Sequence, residues 1–282
     1  MSRIAYVNGR YVPHRDASVH VEDRGFQFAD GVYEVFAVRS GVLIDEELHL
    51  LRLARSLGEL RIAKPHSDRV LRHLFREVLR RNRVRDGVLY LQITRGAAPR
   101  DHAFPKSAEP SVVITARRTR PPDPAVAARG VEVVTIPDIR WRRCDIKSVS
   151  LLPNILGKQH AKEAGAYEAW MVTDGGEVTE GTSTNAWIVT QDGALVTRGA
   201  DASILNGVTR VTILRLAREA NLAIEERSFS LAEALNAAEA FLTSTTSYVM
   251  PIVKIDGKTI GGGTPGKFTK KLLDTYRSYV AR

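Results

Sequence analysis

Strand-like runs follow one another along this chain without a helix between each successive pair, a pattern that argues against a doubly wound parallel sheet. Ile4 to Val12 alternates about Asn8-Gly9, a strong hairpin signal. Val32 to Val38 reads as a strand that Ser40-Gly41 turns into Val42-Leu43-Ile44. Gly87 to Thr94, Ser111 to Ala116, Val131 to Ile136, Tyr167 to Thr173, Ala186 to Val189, Glu239 to Thr243 and Met250 to Ile255 are further strands. Helical spacing is confined to Glu46–Leu60, Asp68–Arg83, Leu151–Ala164, Gly207–Asn221, Leu231–Ala237 and an amphipathic segment from Lys267. No G-x-G-x-x-G is present. The spacing predicts an α+β fold, mainly antiparallel sheets with flanking helices.

Length and punctuation then set the organisation. A chain of 282 residues has room for two domains. Arg117 to Pro124 carries Pro121, Pro122 and Pro124 in a basic setting, which suits a linker. The expected division is a small α+β domain at 1–118, a linker at 119–130 and a larger domain at 131–282. Lysine and arginine outnumber acidic residues 41 to 32, a formal charge of +9. That admits a nucleic acid or an anionic substrate. The arginines of Asp68–Arg83 lie opposite an apolar face and read as a solvated surface, so no nucleic-acid partner is expected. No apolar run reaches 18 residues or signal-peptide length, so no membrane association is expected. The single cysteine, Cys144, rules out an intrachain disulfide and a multi-cysteine zinc site; it fits a reducing, cytoplasmic setting.

The chemistry-bearing residues need sorting from decoys. The histidines show no ligand spacing, so no metal is expected, and G-x-S-x-G is absent. Gly261 to Lys267 matches G-x-x-x-x-G-K, but Phe268 stands where the metal-binding hydroxyl belongs. Lys147 lies in W-R-R-C-D-I-K-S, at the end of what reads as an aromatic-rich strand, and Glu180 opens E-G-T-S-T-N. Gly207-Val208-Thr209-Arg210 opens a helix, where free N–H groups and the dipole favour a phosphate. Ser244-Thr245-Thr246-Ser247 offers hydroxyls after a strand. Alone, each is as well explained by a cap, a solvated turn or a surface lysine. Together the residues point to a phosphorylated ligand and to no named reaction.

In this order and spacing they resemble the fold-type IV pyridoxal phosphate enzymes, a family of aminotransferases and a lyase. The resemblance spans nearly the whole chain through Asp145-Ile146-Lys147-Ser148, Glu180-Gly181-Thr182-Ser183-Thr184-Asn185, Leu205 to Arg210 and Thr243 to Thr246. It implies a two-domain fold and pyridoxal 5'-phosphate as cofactor. Lys147 would be the Schiff-base lysine and proton-transfer base, and Glu180 the partner of the ring nitrogen. Arg52, Val208, Thr209, Ser244 and Thr245 would hold the phosphate, with Leu205 against the ring. Lys158 and Lys162 are rival lysines at i, i+4 on a helix. The stretches Glu22–Glu34, Thr94–His102 and Ile139–Ser148 resemble the branch acting on D-amino acids. That branch would use Tyr33, Arg100 and His102 for the substrate carboxylate, with the Arg-x-His loop supplied across a homodimer to a site between the domains. The implied reaction is transamination between a D-amino acid and a 2-oxo acid. Transamination of branched-chain L-amino acids or aminodeoxychorismate lysis is the alternative.

Overall fold

Asn8-Gly9 does turn one strand into the next. The computed structural model describes residues 3–281, and its first elements are β1 (Ile4–Val7) and β2 (Arg10–Pro13). They are followed by α1 (Arg24–Phe28), β3 (Gly31–Arg39), β4 (Val42–Leu43), α2 (Glu46–Glu59), α3 (Asp68–Asn82), β5 (Gly87–Thr94) and β6 (Ser111–Arg118). The strands form a six-stranded antiparallel sheet, in the order β2-β1-β6-β5-β3-β4. Even-numbered residues of β3 face inward, so Val32, Glu34, Phe36 and Val38 are all buried. Leu50, Leu53 and Leu57 of α2 and Leu71, Leu74, Phe75 and Val78 of α3 pack into the same core. The arginine face of α3 is paired with acids: Arg80 and Arg81 bind Glu77, and Arg72 binds Glu46 and Glu47.

The chain divides into two compact units. The first takes the described residues through Pro121 together with Ile146–Ser150. That short return segment adds to the edge of β3. Tyr33 N donates to Lys147 O at 3.0 Å and Val149 N to Gly31 O at 3.0 Å, with a bridge between Val32 and Ser148. Lys147 N donates to Ser56 Oγ of α2 at 3.2 Å, and Ile146 joins the core. The aromatic-rich strand expected to end at Lys147 is not there; residues 138–150 run as turns and irregular backbone. Arg140, Trp141 and Arg142 break any apolar alternation, and Trp141 stays exposed.

The second unit holds Pro122–Asp145 and the chain from Leu151 on. Its elements are α4 (Pro124–Arg129), β7 (Val131–Pro137), α5 (Leu152–Glu163), β8 (Glu168–Val172), β9 (Val178–Gly181), β10 (Asn185–Val189), β11 (Leu195–Thr197), α6 (Val208–Glu219), β12 (Ile224–Glu226), α7 (Leu231–Leu235), β13 (Glu239–Ser244), β14 (Tyr248–Ile255), β15 (Lys258–Thr259) and α8 (Lys267–Val280). Part of the expected 119–130 linker is helical: Pro124 opens α4, and Asp123 caps it by accepting from Ala125 N at 2.9 Å. The nine-stranded sheet runs β12-β11-β10-β13-β14-β7-β8-β9, with β15 on β14. It is mixed, since β7 pairs in parallel with both β14 and β8, and β11 with β12. Trp187 stacks on Phe241 at 5.4 Å in its core. No helix among the described residues is long and apolar enough to cross a membrane.

Gly96 lies two residues past β5 at φ +95°, where a Cβ would stand 1.9 Å from Glu109 O. Both the backbone and the space require glycine there. Gly96→Ala is expected to cost about 1–3 kcal/mol and to lower Tm by roughly 2–10 °C in a thermal melt.

Candidate active site

The groups expected to act together fall into clusters, and each is built by one unit. In the first, Lys147 Nζ stands 4.2 Å from the centre of the Tyr33 ring, a cation–π distance. Tyr33 is itself stacked on Tyr90 at 5.7 Å. Burial, then the neighbouring Tyr33, pushes the Tyr90 phenol up to about 12, so it stays a neutral platform.

Glu34, the next residue of β3, points the other way into the core. Arg52 of α2 grips it with Nε to Oε1 at 2.8 Å and Nη2 to Oε2 at 2.7 Å, and His49 Nδ1 lies 2.7 Å from Oε2. Burial alone would raise the Glu34 carboxyl. Arg52 and His49 overcome it and bring the group to about 2. Burial also holds His49 below its ordinary value, against the pull of Glu34. The guanidinium of Arg52 is thereby fixed in direction by an ion pair that sequence reading missed. The signals were Glu34 on a row of β3 otherwise apolar and its place at the end of the resembling Glu22–Glu34 stretch.

Arg100 and His102 lie on an exposed loop that has a built support. The Arg100 guanidinium sits 4.6 Å above the Phe28 ring, and His102 meets the same ring at 5.4 Å. Arg24, almost wholly buried, donates to the carbonyls of Asp101 and His102 and to Asp30 Oδ2 at 2.8 Å. Arg95 takes both Asp30 oxygens at 2.7 and 2.9 Å. Phe28 and this Arg24–Asp30–Arg95 triad give the loop its shape.

In the second unit Glu180 sits on β9, 6% exposed, among donors. Asn185 Nδ2 donates to its Oε2 at 3.0 Å, Leu205 N to Oε1 at 3.1 Å, and Arg140 Nη1 to Oε1. Asn185 also donates to Leu205 O at 2.8 Å, so Glu180, Asn185 and Leu205 are locked together. Val208 and Thr209 form the buried first turn of α6, whose N-cap Gly207 contributes no side-chain cap. A Cβ on Gly207 would meet Asn185 Oδ1 at 2.1 Å. Arg210 of the same motif fastens α6 in place through Asn206 and Glu226. Ser244, the last residue of β13, and Thr245, in the turn to β14, are half-buried, and Ser247 N donates to Ser244 Oγ at 3.0 Å.

The rival lysines have other surroundings. Lys158 donates to Tyr167 O at 2.6 Å and lies 3.4 Å from the buried Glu168; Lys162 is exposed on α5. The phosphate-loop decoy is closed by charge. The Glu239 carboxylate accepts from Phe268 N at 3.0 Å and Thr269 N at 2.8 Å, so an acid already occupies the start of α8. Among the described residues no cluster of His, Cys, Asp or Glu could hold a metal ion.

These residues fit pyridoxal phosphate by their chemistry: a lysine amine beside an aromatic face, a buried carboxylate fixed by donors, and a long helix start without a side-chain cap. Comparison with known proteins agrees. The family model for amino-transferase class IV matches residues 31–255. A D-alanine aminotransferase of Bacillus licheniformis is 43% identical over 97% of this chain and 95% of its own length. The branched-chain amino acid aminotransferase of Escherichia coli superposes with a TM-score of 0.91 at 23% identity, covering 99% of this chain and 94% of that one. For 4-amino-4-deoxychorismate lyase from Pseudomonas aeruginosa the TM-score is 0.82 at 27% identity, covering 97% and 98%.

Glu34 carries a pH test. Its lowered carboxyl contributes stability that is present above its ordinary value of 4.5 and is lost as pH falls toward 2. Glu34→Gln should lose about 3–5 kcal/mol at pH 7. In urea unfolding the gap to the unsubstituted protein should narrow steadily below pH 4.5.

Proposed function

The chain belongs to the class IV aminotransferases, and from that premise we propose that it moves an amino group between a D-amino acid such as D-alanine and a 2-oxo acid such as 2-oxoglutarate. The observation that carries this reading is the near-full-length sequence likeness to a D-alanine aminotransferase. The branched-chain enzyme and the lyase share the fold at lower identity. Pyridoxal phosphate, when bound, supplies an electron sink for the pair left at the substrate Cα. Lys147 would hold the cofactor through Nζ, and the same amine would serve as the base that takes and returns the substrate Cα proton. Tyr33, 4.2 Å away, orients that nitrogen and lends its hydroxyl to the substrate carboxylate. Glu180 would hold a proton on the ring nitrogen. Leu205 would pack on the ring, and Arg52, Val208, Thr209, Ser244 and Thr245 would hold the phosphate. Arg100 and His102 bind the substrate carboxylate, Arg100 as a planar two-pronged donor.

We also propose a homodimer in a reducing cytoplasm. Leu152, Ile155 and Leu156 project at i, i+3 and i+4 from α5 and are more than half exposed, an apolar patch that suits a second copy. Arg100 and His102 are exposed in their own chain, as a loop serving a partner would be. The single cysteine fits that compartment.

Purified protein given D-alanine and 2-oxoglutarate should form pyruvate, and L-leucine or L-alanine should give none. Activity on L-substrates alone would sink the reading. Arg100→Lys keeps the charge but loses the two-pronged geometry. It should raise KM for D-alanine by roughly 10- to 100-fold, the equivalent of one hydrogen bond to a charged group, with kcat much less affected.

A further inference from the structure

Behind Glu180 stands a buried ion pair that none of the roles above uses. The side chains of Asp138, Arg140 and Glu180 are 11%, 5% and 8% exposed. Arg140 Nε and Nη2 meet Asp138 Oδ1 at 2.9 Å and Oδ2 at 2.7 Å, a two-pronged pair. Its Nη1 turns the other way and donates to Glu180 Oε1. Nη2 also donates to Ser203 O at 3.0 Å, and Thr179 Oγ1, next to Glu180 on β9, donates to Asp138 Oδ2 at 2.7 Å. The Arg140 guanidinium is thus held on several sides and cannot swing away from Glu180. Its hydrogen bond fixes where one carboxylate oxygen lies.

Charge poses a problem that Asp138 solves. A guanidinium is always positive. Set beside Glu180 without a counter-ion, it would cancel the negative potential that keeps a proton on the ring nitrogen. Asp138 contributes −1, Arg140 +1 and Glu180 −1, so the cluster keeps a net charge of −1. Burial pushes the Asp138 carboxyl up, and Arg140 and Thr179 more than reverse that, so its charge is maintained.

We propose that Asp138 and Arg140 are positioning residues for the ring-nitrogen carboxylate. Arg140 aims Glu180, and Asp138 cancels the Arg140 charge so that Glu180 acts at full strength. This rests on the reading of Glu180 as the partner of the ring nitrogen. A purely structural ion pair tying the 138–140 loop to β9 would affect folding and nothing at the cofactor.

The test uses holoenzyme loaded with pyridoxal phosphate labelled with ¹⁵N in the ring, whose chemical shift reports ring protonation as pH is raised. Asp138→Asn leaves Arg140 uncompensated and should lower the ring-nitrogen pKa by about one unit or more. It should also reduce kcat about 10- to 100-fold, the scale seen when supporting partners are removed from active groups. The double variant Asp138→Asn/Arg140→Gln removes both charges, so the ring titration should return toward that of the unsubstituted enzyme while kcat stays low. Arg140→Lys, which needs no change at Asp138, should keep the ring titration but lose kcat, because a lysine cannot span both carboxylates. An unshifted ring titration in Asp138→Asn, or full kcat in Arg140→Lys, overturns the proposal. Glu180→Gln separates the two readings. If its ring titration is also unshifted, the role of Glu180 itself fails; if it shifts while Asp138→Asn does not, only the role of the ion pair fails.

Discussion

The backbone of Lys147 is held by the edge of a sheet laid down more than a hundred residues earlier. Tyr33 N and Val149 N complete hydrogen bonds across the Gly31–Tyr33 end of β3, and Ser56 of α2 takes Lys147 N. Strand geometry then divides the labour between two adjacent residues, because successive side chains leave a strand on opposite faces. Tyr33 goes to the lysine amine, and Glu34 goes into the core to hold Arg52. One dipeptide thus orders two groups assigned to the cofactor, and a register slip by a single residue would exchange them.

Buried carboxylates recur as the means of holding the groups proposed for the site still. Asp30 joins Arg24 to Arg95 beneath the Arg100–His102 loop, Glu34 fixes Arg52, and Asp138 steadies Arg140 against Glu180. Glu168 binds the hydroxyls of Thr182 and Ser183, in the turn that follows Glu180. Ion pairs of this kind add little net stability, since desolvation offsets much of the attraction. Their value here is geometric. Each fixes the direction of a side chain or loop.

The strands and the long helices were legible because hairpin dipeptides and apolar spacing are local signals. Asn8-Gly9 and Ser40-Gly41 place their turns, and α2, α3 and α6 end within a residue or two of their expected bounds. The short strands β9, β11 and β12 were not read, since three or four residues carry no periodicity. The return of Ile146–Ser150 to the first unit was also hidden, because it depends on pairing with distant β3. For the proposed site, the family motifs pointed to Lys147 and Glu180. Arg24, Glu34 and Arg140 lay inside the resembling stretches with no role attached, and Asp138 just outside them; a charged residue in sequence reads as solvated until tertiary structure buries it. The phosphate-loop decoy was rejected on its missing hydroxyl, and Glu239 at the start of α8 adds a second reason.

The proposed chemistry depends on which lysine bears the cofactor. Borohydride reduction of the holoenzyme, followed by proteolysis and mass spectrometry, locates that nitrogen directly. A phosphopyridoxyl group on the peptide containing Lys147, and on no other lysine, is the expected result. The modification on Lys158 or Lys162, or no stable adduct at all, would contradict it.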